Sequence, residues 1–204
     1  MHVSQQKSQF VAVASIAAEL SAVMEVAKEI SLAAANAKAI AFRAGEKAKG
    51  FQPITDFINE LAKETIELVN NINEHALKLY RLTVKEYRIS EACRRFESVA
   101  VLSANAVYAN SLNDSLEQAR QRRNDCQRQF ARHVSELLAQ LADVMHPARA
   151  ARVIAANSRI EASQAGEYLQ SLQAVAESVD NAAQIIHDKV NKCRSALSVI
   201  KTDD

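Results

Sequence analysis

The sequence predicts an all-α fold, a long antiparallel coiled-coil four-helix bundle made of two helical hairpins. Three observations carry the expectation. Residues that lose little side-chain freedom in a helix dominate the chain, which has only three glycines, two prolines and 5% aromatic residues. Apolar positions recur at alternating three- and four-residue steps, the pattern of helices packed lengthwise. All three glycines fall in or just beyond two copies of one short motif, with Gly45 and Gly166 standing 121 residues apart. Glycine ends helices because it visits the left-handed region without a Cβ penalty, so the glycines mark where the chain turns.

The first helix is predicted from about 4 to about 45, with Val13, Ile16, Leu20, Val23, Ala27, Ile30, Ala34, Ala37, Ala41 and Ala44 along one seam. It would be roughly 60 Å long. A second helix starts near Pro53, which suits a first turn where no amide donor is needed. Its seam is Ile54, Ile58, Leu61, Thr65, Leu68, Ile72, Ala76 and Leu79. A reversal must follow, since one helix from Gly50 to Gly166 would be about 170 Å long. Asn110-Ser111-Leu112-Asn113-Asp114-Ser115 is the favoured break, being rich in cap and turn formers. Thr83-Val84-Lys85-Glu86 resembles a capping box and competes with it. The third helix runs from about 114 to 165, with a kink or short break at His146-Pro147. The fourth runs from about 170 to 200, and Lys201 to Asp204 are expected to fray.

Adding 121 to each number brings Ala27, Ala34, Ala35, Asn36, Ala41, Ala44, Gly45, Glu46 and Gln52 onto Ala148, Ala155, Ala156, Asn157, Ala162, Ala165, Gly166, Glu167 and Gln173. Lys38 meets Arg159. The chain is therefore expected to be one elongated domain, 1–204, with repeat one at about 4–109 (tip 45–51) and repeat two at about 114–200 (tip 166–171).

Asn36, Ala37, Ala41, Arg43, Ala44, Gly45, Glu46, Gly50 and Phe51 resemble the hairpin tip of the methyl-accepting chemotaxis protein signalling domain. That family's tip runs Asn-Ala-Ala-Ile/Val-Glu-Ala-Ala-Arg-Ala-Gly-Glu-x-Gly-Arg-Gly-Phe. Asn157, Ile160, Glu161, Ala162, Ala165, Gly166 and Glu167 carry the likeness into the second copy. Chemoreceptors build a four-helix bundle from one such hairpin per subunit, so the resemblance implies that this chain is a covalent pseudo-dimer. It also implies tip contacts with a histidine kinase, an SH3-like adaptor and other receptor tips. The copies depart from the family in complementary ways. Its glutamate is Ile40 in copy one and Glu161 in copy two, while its arginine is Arg43 in copy one and Gln164 in copy two. A valine after the turn that helps to dock the adaptor is Pro53 here.

A net charge of +1 gives no steering towards nucleic acid or a membrane surface. The basic run Arg120, Arg122, Arg123, Arg128 and Arg132 has acidic residues interleaved and few aromatic partners, as a solvated helix face does. Cys93, Cys126 and Cys193, odd in number and widely spaced, suggest reduced thiols in a cytoplasmic protein. The longest uncharged stretches fall short of 18 residues, so no membrane insertion is expected. No histidine has a glutamate three residues earlier, so a di-iron site is not expected, and no metal or other cofactor is anticipated. Catalytic motifs are missing, and the expected function is non-catalytic. The candidate contact face is the tip: Arg43, Glu46, Lys49, Phe51, Glu161 and Glu167, with Gly45, Gly50 and Gly166 forming the turns. Phe42 and Phe51 flank the first turn, and each has two readings, as core or as an exposed anchor. Either a monomer or a dimer with swapped hairpins would satisfy the packing.

Overall fold

The computed structural model describes the backbone of residues 2–103 and 109–202, and side chains from 9 to 103 and 110 to 200. Helix α1 spans His2–Ala44 and leads through a 3₁₀ turn, Gly45–Ala48, into α2, Phe51–Leu102. A second 3₁₀ turn, Ala109–Leu112, precedes α3, Asn113–Asp143, which is followed at once by α4, Met145–Ala162. Gly166–Tyr168 then leads into α5, Leu169–Thr202. There is no strand among the described residues.

Contacts set the arrangement. Ser31 Oγ donates to Asn59 Oδ1 at 2.8 Å and the Phe10 and Tyr80 rings meet at 6.0 Å, so α1 and α2 run antiparallel. His75 Nδ1 lies 2.7 Å from Gln140 Oε1, setting α2 antiparallel to α3. Arg159 reaches Asp180 from α4 to α5, and Lys189 reaches Glu19 from α5 to α1. The helices therefore pack as an antiparallel bundle in which α3 and α4 lie end to end. One apolar core from Ala12 to Ile200 fills the part where four helices lie side by side, and a second cluster at the turn end gathers Ala37, Ala41, Ala44, Phe51, Ala162 and Leu172.

The buried positions follow the seam. From Gln9 to Leu79, every buried residue meets another buried residue 121 positions on, except Ala12 and Ala48, which meet half-buried His133 and Leu169. No insertion or deletion interrupts that correspondence.

Three boundaries differ from expectation. Thr83 to Glu86 do not break α2: the Thr83 hydroxyl donates to the Leu79 carbonyl at 3.0 Å, so the residue is satisfied inside the helix. The reversal includes Asn110 to Leu112 but starts earlier, at Ser103, whose hydroxyl caps α2 through Val99 O at 2.7 Å. Residues 104–108 lie outside the described residues, as do Asp203 and Asp204 of the expected frayed end, whereas Lys201 and Thr202 continue α5. The interruption expected at His146-Pro147 falls at Val144. Pro147 has no amide to donate to Asp143, the last residue of α3, and its ring crowds that carbonyl.

Candidate functional site at the paired hairpin tips

Both glycine turns lie at the same end of the bundle. Gly45 and Gly166 adopt φ of +54° and +59°, the left-handed conformation that stops α1 and re-aims the chain after α4. Gly50 lies in the turn, as expected, but not through a left-handed conformation. Its φ is −67°, within reach of any residue, but a Cβ there would collide with the Glu161 carboxylate of the other hairpin. Gly50 is small so that Glu161 can cross it.

The tips touch at a second place. Lys47 Nζ lies 3.7 Å from Glu167 Oε1, while Lys49 and Glu46 pair within the first tip at 3.3 Å. Arg43 is exposed and makes no ion pair or hydrogen bond among the described residues. Five of the six expected contact residues thus share one polar end. Phe51 does not. It is fully buried in the tip cluster opposite Leu172, because the apolar seam of α2 begins there, and as an exposed anchor it is withdrawn from the contact face. Phe42, one step off the α1 seam, is 79% exposed.

Beside this polar end, between α2 and α4, runs an open groove lined by Gly50, Ile54, Phe57, Ile154, Ile160 and Glu161. Phe57 is 56% and Ile160 62% exposed. Neither was placed on the contact face from the sequence, although Phe57 stands one step and Ile160 two steps from a buried seam position, and large apolar residues off the seam are the signal that would have found them. Lys47 was missed because only the tertiary pairing of the tips gives it a partner. The positions 121 residues away, between α5 and α1, are Ser178 for Phe57 and Ala39 for Ile160, so that side of the tip lacks the bulky apolar lining.

Behind the tip, each hairpin is tied by a basic residue of its outgoing helix. Lys38 Nζ meets Asp56 Oδ1 at 2.6 Å, and Arg159 meets Asp180 Oδ2 at 2.7 Å. The hydrogen bond from Arg159 and the nearby Arg152 charge hold the Asp180 carboxyl below its ordinary range. Far from the tip, Arg120 pairs with Glu97 and Arg128 with Asp125, which occupies part of the basic run. Burial pushes the Cys193 thiol up to about 12, and raises Cys126 too, so neither is a nucleophile at neutral pH. Among the described residues, no three His, Cys, Asp or Glu side chains gather closely enough to hold a metal ion. The arrangement offers recognition: alternating charges beside an apolar groove.

α1 is also longer and more apolar than counting uncharged stretches suggests. Gln9–Ala48 has the length and hydropathy to cross a membrane, yet its Val13-to-Ala44 seam is buried against the other helices. In comparisons with known proteins, the chain matches no family model and no curated protein.

Proposed function

We propose that this chain is a non-catalytic signalling or scaffold protein of chemoreceptor-like design. Its two hairpins form a coiled-coil pseudo-dimer, and their shared tip binds a chemosensory histidine kinase, an SH3-like adaptor or receptor tips. The reading rests on one observation above the others. Residues 121 apart in the chain, Gly45 and Gly166, hold the same left-handed turn at one end, where Glu161 and Glu167 of one tip meet Gly50 and Lys47 of the other. The unbroken correspondence of buried positions from Gln9 to Leu79 supports the pseudo-dimer. The family resemblance of Asn36 to Phe51 supports the choice of partners.

A second reading has an observation of its own. Pro53, where the family keeps its adaptor-docking valine, is exposed and offers no amide donor to a partner. On that reading the bundle serves assembly alone, its chemotaxis contacts gone. A titration of the purified protein against the adaptor and the kinase of its own organism decides between them. Arg43→Ala combined with Phe57→Ala is the control, since both side chains are exposed and the fold should survive. Micromolar binding lost in the control supports the tip. Absence of binding by the unaltered chain rejects the kinase and adaptor as partners and leaves receptor tips or the assembly reading.

A further inference from the structure

α1 differs from its neighbours in carrying a second heptad seam on its outward side. Two residues before each seam position from Val13 to Ala44 stand Val11, Ala14, Ala18, Ser21, Glu25, Lys28, Leu32, Ala35, Ala39 and Phe42, and all ten are exposed. The ends and middle are bulky, with Val11 61%, Leu32 64% and Phe42 79% exposed. At the same phase α2 has Asp56, Glu60, Lys63 and Glu67, and α5 has Glu177, Asn181, Gln184 and Asp188, which are ordinary solvated faces. A helix apolar on both sides is normally covered on both.

We infer that a second copy of this chain covers it, with the two α1 helices packed antiparallel about a two-fold axis between residues 26 and 27. The sequence of the seam selects both occupant and register. In an antiparallel pair each layer joins an a position of one helix to a d position of the other. Under this axis Val11 faces Phe42 of the second copy, Ala14 faces Ala39, Ala18 faces Ala35, Ser21 faces Leu32, and Glu25 faces Lys28. The seam reads as its own complement. The two charged positions meet opposite charges in both symmetry-related layers, as an isologous contact requires. A parallel in-register pair would set Glu25 against Glu25 and Lys28 against Lys28. A slip of one heptad would bury both against Ser21 and Ala18, or against Ala35 and Leu32. In the free chain Lys28 Nζ reaches Glu25 Oε1 at 3.0 Å, so both groups already sit on this face. The alanines let the helix axes come near the short end of the usual 8–10 Å over about 47 Å of helix. The α2–α4 groove lies on the far side of the bundle and stays free.

The test is sedimentation equilibrium of the full chain, with circular dichroism confirming that each variant is folded. The unaltered protein is expected to form a micromolar dimer. E25K and K28E each replace two attractive layers by two repulsive ones and should each weaken it roughly tenfold, whereas an equimolar mixture of the two should dimerise as tightly as the original. Under mild oxidation V11C mixed with F42C should form a mixed disulfide, and F42C alone should form none. A monomer at every concentration, a dimer indifferent to E25K, self-linked F42C, or a monomer that instead floats with phosphatidylcholine vesicles would each overturn the inference.

Discussion

Phe42 and Phe51 bracket the same turn and looked alike in the sequence, yet one is open to solvent and the other sealed. Helix phase separates them. Phe42 falls beside the Ala37-Ala41-Ala44 seam, and Phe51 begins the seam that continues through Thr55 and Ile58. That phase was legible; the stronger likeness of Phe51 to the family's tip drew it onto the contact face instead. Phe51→Ala should cost about 3–5 kcal/mol, since the surrounding alanines cannot collapse into the space, and thermal melting reads the loss directly. Phe42→Ala should leave the monomer's stability within about 0.5 kcal/mol. The glycines divide as well. Gly45→Ala meets no neighbour but forces a left-handed alanine, at about 1–2 kcal/mol. Gly50→Ala needs only the half-exposed Glu161 to swing aside, so it should cost less than Gly45→Ala in the same melts. With its thiol held at about 12, Cys193 should resist a disulfide reagent at pH 8 until the protein is unfolded in urea, as should Cys126. Fast native labelling of either would contradict the burial.

Whole helices were more legible than their joints. The alternating three- and four-residue step placed α1, the start of α2, and α5 to within a few residues, because burial along a rod leaves a periodic trace. Thr83-Glu86 and Ser103 show why the joints were harder: a threonine or serine hydroxyl can return to its own helix four residues back or cap a terminus, and the tertiary setting chooses. The ties within each hairpin were half visible, since Lys38 and Arg159 were paired by the 121-residue spacing while Asp56 and Asp180 do not stand 121 apart. The tie at Asp180 makes a pH prediction. Its folded pKa is depressed, so its contribution is present above the unfolded value of about 3.9 and fades as pH falls through the lower folded value. Asp180→Asn should therefore cost about 0.5–1 kcal/mol at pH 7, the size of a partly exposed pair. Urea melts of the two proteins should converge below about pH 4. An undiminished gap at pH 3 would show that the carboxylate's charge is not what matters.

At the scale of the molecule, the four rods do not end together. Tyr80 of α2 already meets Phe10, near the start of α1, so α2 beyond about residue 88 has passed the end of α1. Cys193 lies against Ile16, which brings the last residues of α5 to that same end. The rest of α2 and the first part of α3 continue as a pair, tied by Arg120 and Glu97 at 3.2 Å. The expected repeats, about 4–109 and 114–200, already differ in length, so the helix between the two tips exceeds what two matched hairpins need. The sequence could not say how the excess would pack. Among the described residues between 88 and 125 the buried side chains are Cys93 and Ala119, small groups that two helices can cover. In the four-rod part each layer draws on larger residues such as Leu20, Ile72, Leu141 and Val190. Apolar burial supplies most helical stability, and local opening is cheapest where it is thinnest. Backbone amides of 90–100 and 115–125 should therefore exchange with deuterium about tenfold or more faster than those of 58–72 and 137–141, with no change in bulk melting. Equal protection along α2 would mean that something else covers the overhang, and would make it, rather than the tip, the next surface to probe for a partner.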